Sequence, residues 1–117
     1  MRLNHIHLTS SEPQKTSEFY QKYFGFKRVR QIQKTTVMTN ADQFILAFDG
    51  VEISQAVRKP CHIGFTLTEK GEVELLYQRM QRDGISAGDL QSPNDNVIHF
   101  YCEDPCGNSI EVGWYRF

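Results

Sequence analysis

Residues 97–116 run VIHFYCEDPCGNSIEVGWYR, the pattern of a strand, a tight turn and a second strand. Val97 to Glu103 alternate, Asp104-Pro105-Cys106-Gly107-Asn108 is dense in turn formers, and Ser109 to Tyr115 alternate again. Successive side chains of a strand point to opposite faces, so Ile98, Phe100 and Cys102 share one face while His99, Tyr101 and Glu103 share the other. In the second strand Ile110 and Val112 take the apolar side, and Ser109, Glu111 and Gly113 face away. Glu111 is therefore a carboxylate in mid-strand, and a charge there needs a partner.

Outward from this hairpin, the chain reads as one plan used twice. Leu3 to Leu8 alternate as a strand, with Ile6 and Leu8 on one face and Leu3, His5 and His7 on the other. Thr9-Ser10-Ser11-Glu12-Pro13 predicts a helix start with hydroxyl caps, and the helix runs to about Phe24, buries Phe19, Tyr20, Tyr23 and Phe24, and ends at Gly25. Strands follow at Phe26 to Ile32, Thr35 to Thr39 and Gln43 to Phe48, and Val51 to Lys59 reads as a linker. Pro60 to Leu67 then repeats the first strand, with His62, Gly64 and Thr66 facing one way. A helix from about Glu69 to Asp83 carries Val73, Leu76, Tyr77 and Met80 at helical spacing and stops at Gly84. Ile85 to Leu90 reads as a weak strand before the closing hairpin. The expected fold is α+β: two tandem βαβββ modules (about 1–56 and about 57–117) in one domain, forming a curved sheet around a cup with the helices outside. His5 and His62 hold equivalent places in the two halves, and His5, His62, Tyr101 and Glu111 are expected to point into the cup.

Composition narrows the classes of function. The chain has 117 residues, ordinary apolar and charged shares, and a formal net charge of −1, with no basic block to bind nucleic acid or an anionic membrane surface. MRLNHIHLTS holds no apolar run of signal-peptide length, and no segment is apolar enough to span a bilayer. Three cysteines, an odd number, argue against a full disulfide framework, so a cytoplasmic location is expected. Cys102 and Cys106 lack a second pair at zinc-site spacing and read as core and turn residues.

Two imidazoles and one carboxylate on three strands form a ligand set for a divalent metal with positions left open: Fe(II), Mn(II), Zn(II) or Ni(II). A substrate with two neighbouring oxygens can chelate such a metal. A lone strand histidine is usually a hydrogen-bonded structural residue. Three groups facing one way at duplicated positions favour the ligand reading for His5, His62 and Glu111. Tyr101 is the candidate proton donor beside them. His7 faces the cup two residues from the repeat position, and His99 is an alternative ligand. With Phe44 and Trp114 as aromatic surfaces, they are the candidates for substrate contact.

These residues carry a resemblance to the vicinal oxygen chelate superfamily, which includes glyoxalases, bleomycin-resistance proteins, fosfomycin-resistance enzymes and extradiol dioxygenases. It rests on Leu3-Asn4-His5-Ile6, on Ser17-Glu18-Phe19-Tyr20 with Phe24-Gly25-Phe26, on His62-Ile63-Gly64-Phe65, and on Asp104-Pro105-Cys106-Gly107-Asn108-Ser109-Ile110-Glu111. The resemblance implies a metal held by His5, His62 and Glu111, a small oxygen-rich substrate, and a homodimer in which a cup can be built from two chains. The closing hairpin is most similar to the extradiol dioxygenases, where Tyr101 would be the active-site tyrosine. In that comparison Asn96 stands where the family has a histidine, and Phe44 lies near the position of its acid–base histidine. Glyoxalases usually place a second glutamate in the strand that here holds Phe44, Ile45 and Leu46. Two activities are thus expected to compete: a metal-dependent enzyme, dioxygenase-like or lyase/isomerase-like, and a metal-free drug-binding protein of the bleomycin-resistance kind, for which Phe44, Trp114 and Tyr115 are stacking surfaces.

Overall fold

The computed structural model describes residues 4–52 and 62–116. Leu3, Pro60, Cys61 and most of the expected linker lie outside the described residues. The chain divides into two compact units, Met1–Arg58 and Lys59–Phe117. Among the described residues each carries one helix and one four-stranded mixed, open sheet, so the architecture is α+β with one βαβββ module in each unit.

In the first unit the elements are β1 (His5–Ser10), α1 (Pro13–Phe24), β2 (Lys27–Ile32), β3 (Thr35–Thr39) and β4 (Ile45–Gly50), with sheet order β1-β4-β3-β2. β1 runs parallel to β4, and the other neighbours are antiparallel. Met38, Leu46 and Phe48 are buried on one sheet face, together with Phe19 and Tyr20 of α1 and Phe26 just beyond it. α1 begins on Pro13, whose missing N–H is harmless in the first turn. The expected hydroxyl cap is displaced: Glu12 is the N-cap residue and makes no side-chain cap bond. Ser10 Oγ instead accepts the Glu12 N–H at 3.1 Å and pairs with Thr16 Oγ1 at 2.9 Å. Gly25 ends the helix at φ +67°, where glycine carries no steric penalty. Tyr23 and Phe24 are half-buried, not buried, because Phe19 and Tyr20 fill the face against the sheet and the last turn projects past it.

β4 starts later than expected and runs on to Gly50. Asn40 Oδ1 accepts the N–H groups of Asp42 and Phe44, at 3.1 and 3.0 Å, and Gln43 sits at φ +61°. The turn thereby absorbs Gln43 and Phe44, and Asp49, opposite Thr9 and Thr35, stays in the ladder.

In the second unit the elements are β5 (His62–Thr66), α2 (Lys70–Arg82), β6 (Gln91–Asn94), β7 (Val97–Glu103) and β8 (Ser109–Tyr115), in sheet order β5-β8-β7-β6. α2 opens with a reciprocal capping box between Glu69 and Glu72. Val73 and Met80 of α2 are buried, as are Ile98, Phe100, Cys102, Ile110 and Val112 of β7 and β8, and the Tyr77 and Phe100 rings meet edge-on at 5.3 Å. The closing hairpin keeps the expected alternation along both strands. Burial pushes the Cys102 thiol up to about 12, with Asp104 and Glu103 adding to the shift.

The sixth strand is a correction. It lies at Gln91–Asn94, not Ile85 to Leu90. Ile85 donates its N–H to Met80 O at 2.9 Å, which ties it to the end of α2, and Ala87 makes only an isolated bridge to Cys102. The pairing of Asn94 with Val97 places the edge strand just before the turn. That strand is exposed throughout and contains Pro93, which an edge tolerates.

Candidate metal centre

The turn that joins β7 to β8 fixes the site's register. Asp104 is 4% exposed, and its Oδ1 accepts the N–H groups of Cys106 and Asn108 at 2.8 and 2.9 Å. Its Oδ2 accepts Asn108 Nδ2 at 2.7 Å, and Gly107 turns at φ +80°. Tyr101 thereby stands directly opposite Glu111, with His99 opposite Gly113. On the other side of β8, parallel β5 sets His62 beside Ser109 and Gly64 beside Glu111.

Glu111 is the hub. Its side chain is 18% exposed. Oε2 lies 2.9 Å from His62 Nε2 and accepts the Tyr101 hydroxyl at 2.8 Å. Oε1 accepts the Tyr115 hydroxyl and stands 3.8 Å from His99 Nδ1, too far for a hydrogen bond. That His99 nitrogen is buried and, among the described residues, has no hydrogen-bond partner. The His62 and Tyr101 rings meet edge-on at 5.4 Å, and those of His99 and Tyr101 at 5.6 Å. A hydrogen bond to Glu111, then burial, then the carboxylate's charge hold the Tyr101 hydroxyl above its ordinary range, so it carries its proton at neutral pH. A pocket of ≈ 280 Å³ opens beside the cluster, lined by Gly64, Phe65, Thr66, Glu111 and Tyr115.

The donor types here, imidazole and carboxylate, are ones that a divalent cation takes. Two ligands bound side by side at about 2.1 Å from one metal stand roughly 3 Å apart, the spacing of His62 Nε2 and Glu111 Oε2. Imidazole and carboxylate together suit Fe(II), Mn(II), Zn(II) or Ni(II). Among the described residues no group of three His, Cys, Asp or Glu side chains is gathered for a metal, and His62 and Glu111 stand as an ion pair at 2.9 Å.

In the first unit, His5 is exposed on β1 and its Nδ1 pairs with Asn4 Oδ1 at 2.8 Å. His7 Nε2 lies 3.1 Å from Asp49 Oδ1, which also accepts the Thr35 hydroxyl at 2.5 Å. Those two bonds, Thr35's first, hold the Asp49 carboxyl below its ordinary value. The duplication is visible in the ladders. His5 pairs with Ile45 and His7 with Ala47, as His62 pairs with Ser109 and Gly64 with Glu111. Ala47 therefore stands where the second unit has Glu111, one residue past Phe44, Ile45 and Leu46. Phe44 is half-buried in the turn before β4. Trp114 pairs with Ile98 and so falls on the core face of β8, away from Glu111.

Tyr115, a stacking surface in the sequence reading, stands beside Glu111 on β8. Its ring lies over Gly113, where an added Cβ would come within 2.5 Å of the Tyr115 hydroxyl. A mid-strand glycine two residues before an aromatic is a sequence signal for such a close approach.

The chain belongs to the Glyoxalase/Bleomycin resistance protein/Dioxygenase superfamily, whose family model matches residues 2–112. Among solved structures, a possible glyoxalase from Bacillus cereus is 30% identical, with a TM-score of 0.81 over 96% of this chain and 97% of that one. The fosfomycin resistance protein FosX from Listeria monocytogenes is 19% identical, with a TM-score of 0.86 over 100% and 95% of the two chains. FosX has also been solved in complex with Mn(II) and sulfate. Lactoylglutathione lyase from Agrobacterium tumefaciens is 19% identical, with a TM-score of 0.77 over 97% and 92%. No curated protein matches the sequence.

Proposed function

We propose that this protein is a divalent-metal-dependent enzyme acting on a small substrate that presents two neighbouring oxygens. The observation that carries this reading is the pairing of His62 Nε2 with Glu111 Oε2 at 2.9 Å in a cluster that also contains a protonated tyrosine. His62 and Glu111 hold the metal. His5 completes the set, from the same chain or from a second copy in a homodimer. The solved complex of FosX with Mn(II), in a protein of the same fold, supports a hard cation of that kind. When bound, the metal supplies Lewis acidity toward the substrate's oxygens.

The chain's own groups do the rest. Tyr101 holds a proton on its hydroxyl, 2.8 Å from Glu111 Oε2, where a substrate oxygen gaining charge would receive it. His99, with a buried and unpartnered Nδ1, offers a second polar contact inside the cluster. His7 is engaged by Asp49 and stays on its own sheet as an oriented imidazole. The absence of a carboxylate at Ala47 leaves three protein ligands, which suits dioxygenase- or transferase-like chemistry better than a four-ligand glyoxalase site. The odd cysteine count favours a cytoplasmic setting.

Calorimetric titration of a catechol, a glutathione hemithioacetal and a phosphonate diol into the protein, with and without Mn(II), tests this reading. Binding of one class that needs the metal is expected. Equal binding of aromatic drugs with and without metal would replace it with the sequestering reading.

A further inference from the structure

Tyr101 belongs to two places at once. Its hydroxyl donates to Glu111 Oε2 at 2.8 Å, and the residue also walls a depression of ≈ 180 Å³ lined by Ser86, Gly88, Cys102, Glu103 and Ser109. Ala87 faces Cys102 in an antiparallel bridge, Gly88 donates its N–H to Tyr101 O at 2.8 Å, and Glu103 donates its N–H to Ser86 O at 3.4 Å. The chain from Ser86 to Gly88 thus lies alongside β7, and alternation puts Ser86 and Gly88 on the face that carries Tyr101 and Glu103. On the neighbouring strand β8, Ser109 pairs with Glu103. Gly88 brings no side chain, and a Cβ there would meet Tyr101 O at 3.8 Å, an ordinary contact.

Charge sorts what can enter. No lysine or arginine occurs between Arg82 and Arg116, a stretch that holds six acids, so β6, β7 and β8 bring no cation to this face. α2, with Lys70, Arg79 and Arg82, packs on the opposite face, where Tyr77 meets Phe100. An aromatic wall, a carboxylate and two hydroxyls without a cation are the parts that recognise an ammonium, by cation–π attraction and charge-assisted hydrogen bonds. A phosphonate or carboxylate would meet like charge at Glu103. We propose that the depression over Gly88 is a subsite for a small organic ammonium, with Glu103 as its counter-charge and Ser86 and Ser109 as hydroxyl partners. The subsite asks nothing of a metal. That its occupant is one end of the enzyme's substrate rests on the reading above, since Tyr101 joins the depression to Glu111. The substrate class narrows accordingly to an amine-bearing molecule.

The test titrates the full chain, labelled with nitrogen-15, with benzylamine, benzyl alcohol and benzoate, one shape at three charges, as purified and again in EDTA. Wild type is compared with Glu103→Gln and Gly88→Leu, with a thermal melt on each to confirm the fold. Benzylamine is expected to bind about tenfold or more tightly than benzoate and to shift the amides of Ser86, Gly88, Tyr101, Glu103 and Ser109. Glu103→Gln should erase that preference and leave benzyl alcohol within about twofold of wild type. Gly88→Leu should weaken all three probes by filling the floor. The preference should persist in EDTA, so the subsite and the metal reading fail separately. Benzoate bound as tightly as benzylamine, no binding of any probe, or shifts confined to other residues would overturn the inference. So would a folded Glu103→Gln protein that keeps the preference, or a preference lost in EDTA.

Discussion

At the scale of the residue, partners decide what each charged group can do. Glu111 sits in mid-strand beside His62 and accepts the Tyr101 and Tyr115 hydroxyls. Asp49, the carboxylate of the first unit, is committed to its own sheet by Thr35 and His7. Its folded-state value is depressed, so its contribution to stability is complete above the ordinary carboxylate range of about 4 and is lost as pH falls through the lower folded value. Thr35→Val removes the leading cause. The variant should be less stable than wild type at pH 6, and the gap should close as urea melts are taken down to pH 2.5. A gap independent of pH would mean that the Thr35 bond does not tune Asp49.

At the scale of the element, the closing hairpin shows what the sequence could and could not display. The period-two pattern of Ile98, Phe100, Cys102, Ile110 and Val112 against His99, Tyr101 and Glu111 was legible, because one face is buried and the other is not. The turn was legible too, since Asp, Pro, Gly and Asn each do something there that other residues cannot. β6 was not, because an exposed edge strand of Gln91, Ser92, Pro93 and Asn94 needs no apolar signal, and its position follows from the turn after it. The path of the Tyr115 side chain was hidden for another reason. Strict alternation puts it on the same face as Glu111, but its return over Gly113 is a matter of side-chain path, which periodicity does not carry. The turn itself makes a prediction. Asp104→Ala deletes three hydrogen bonds to a buried carboxylate and should cost about 2–3 kcal/mol by urea unfolding. A loss under about 0.5 kcal/mol would mean that Gly107 and the strand ladder set the register without it.

At the scale of the whole molecule, one plan is used twice and only one copy keeps the acid. Both units pair a histidine-bearing strand with the last strand of their sheet in the same parallel register, but the position of Glu111 is filled by Ala47 in the first. Among the described residues no helix is long and apolar enough to cross a membrane. The proposed ligand set takes the acid and one imidazole from the second unit, Glu111 and His62, and adds His5 as a proposal. The central claim is therefore a count of metal against three residues, one of them in the other half of the chain. The measurement is the metal content, by elemental analysis, of protein reconstituted with Mn(II), Fe(II), Ni(II) or Zn(II) under anaerobic conditions and then desalted. Wild type should be compared with His5→Gln, His62→Gln and Glu111→Gln. The account predicts close to one metal per chain in wild type and a loss of most of it in all three variants. Wild type that retains no metal, or variants at His62 and Glu111 that retain as much as wild type, would contradict it.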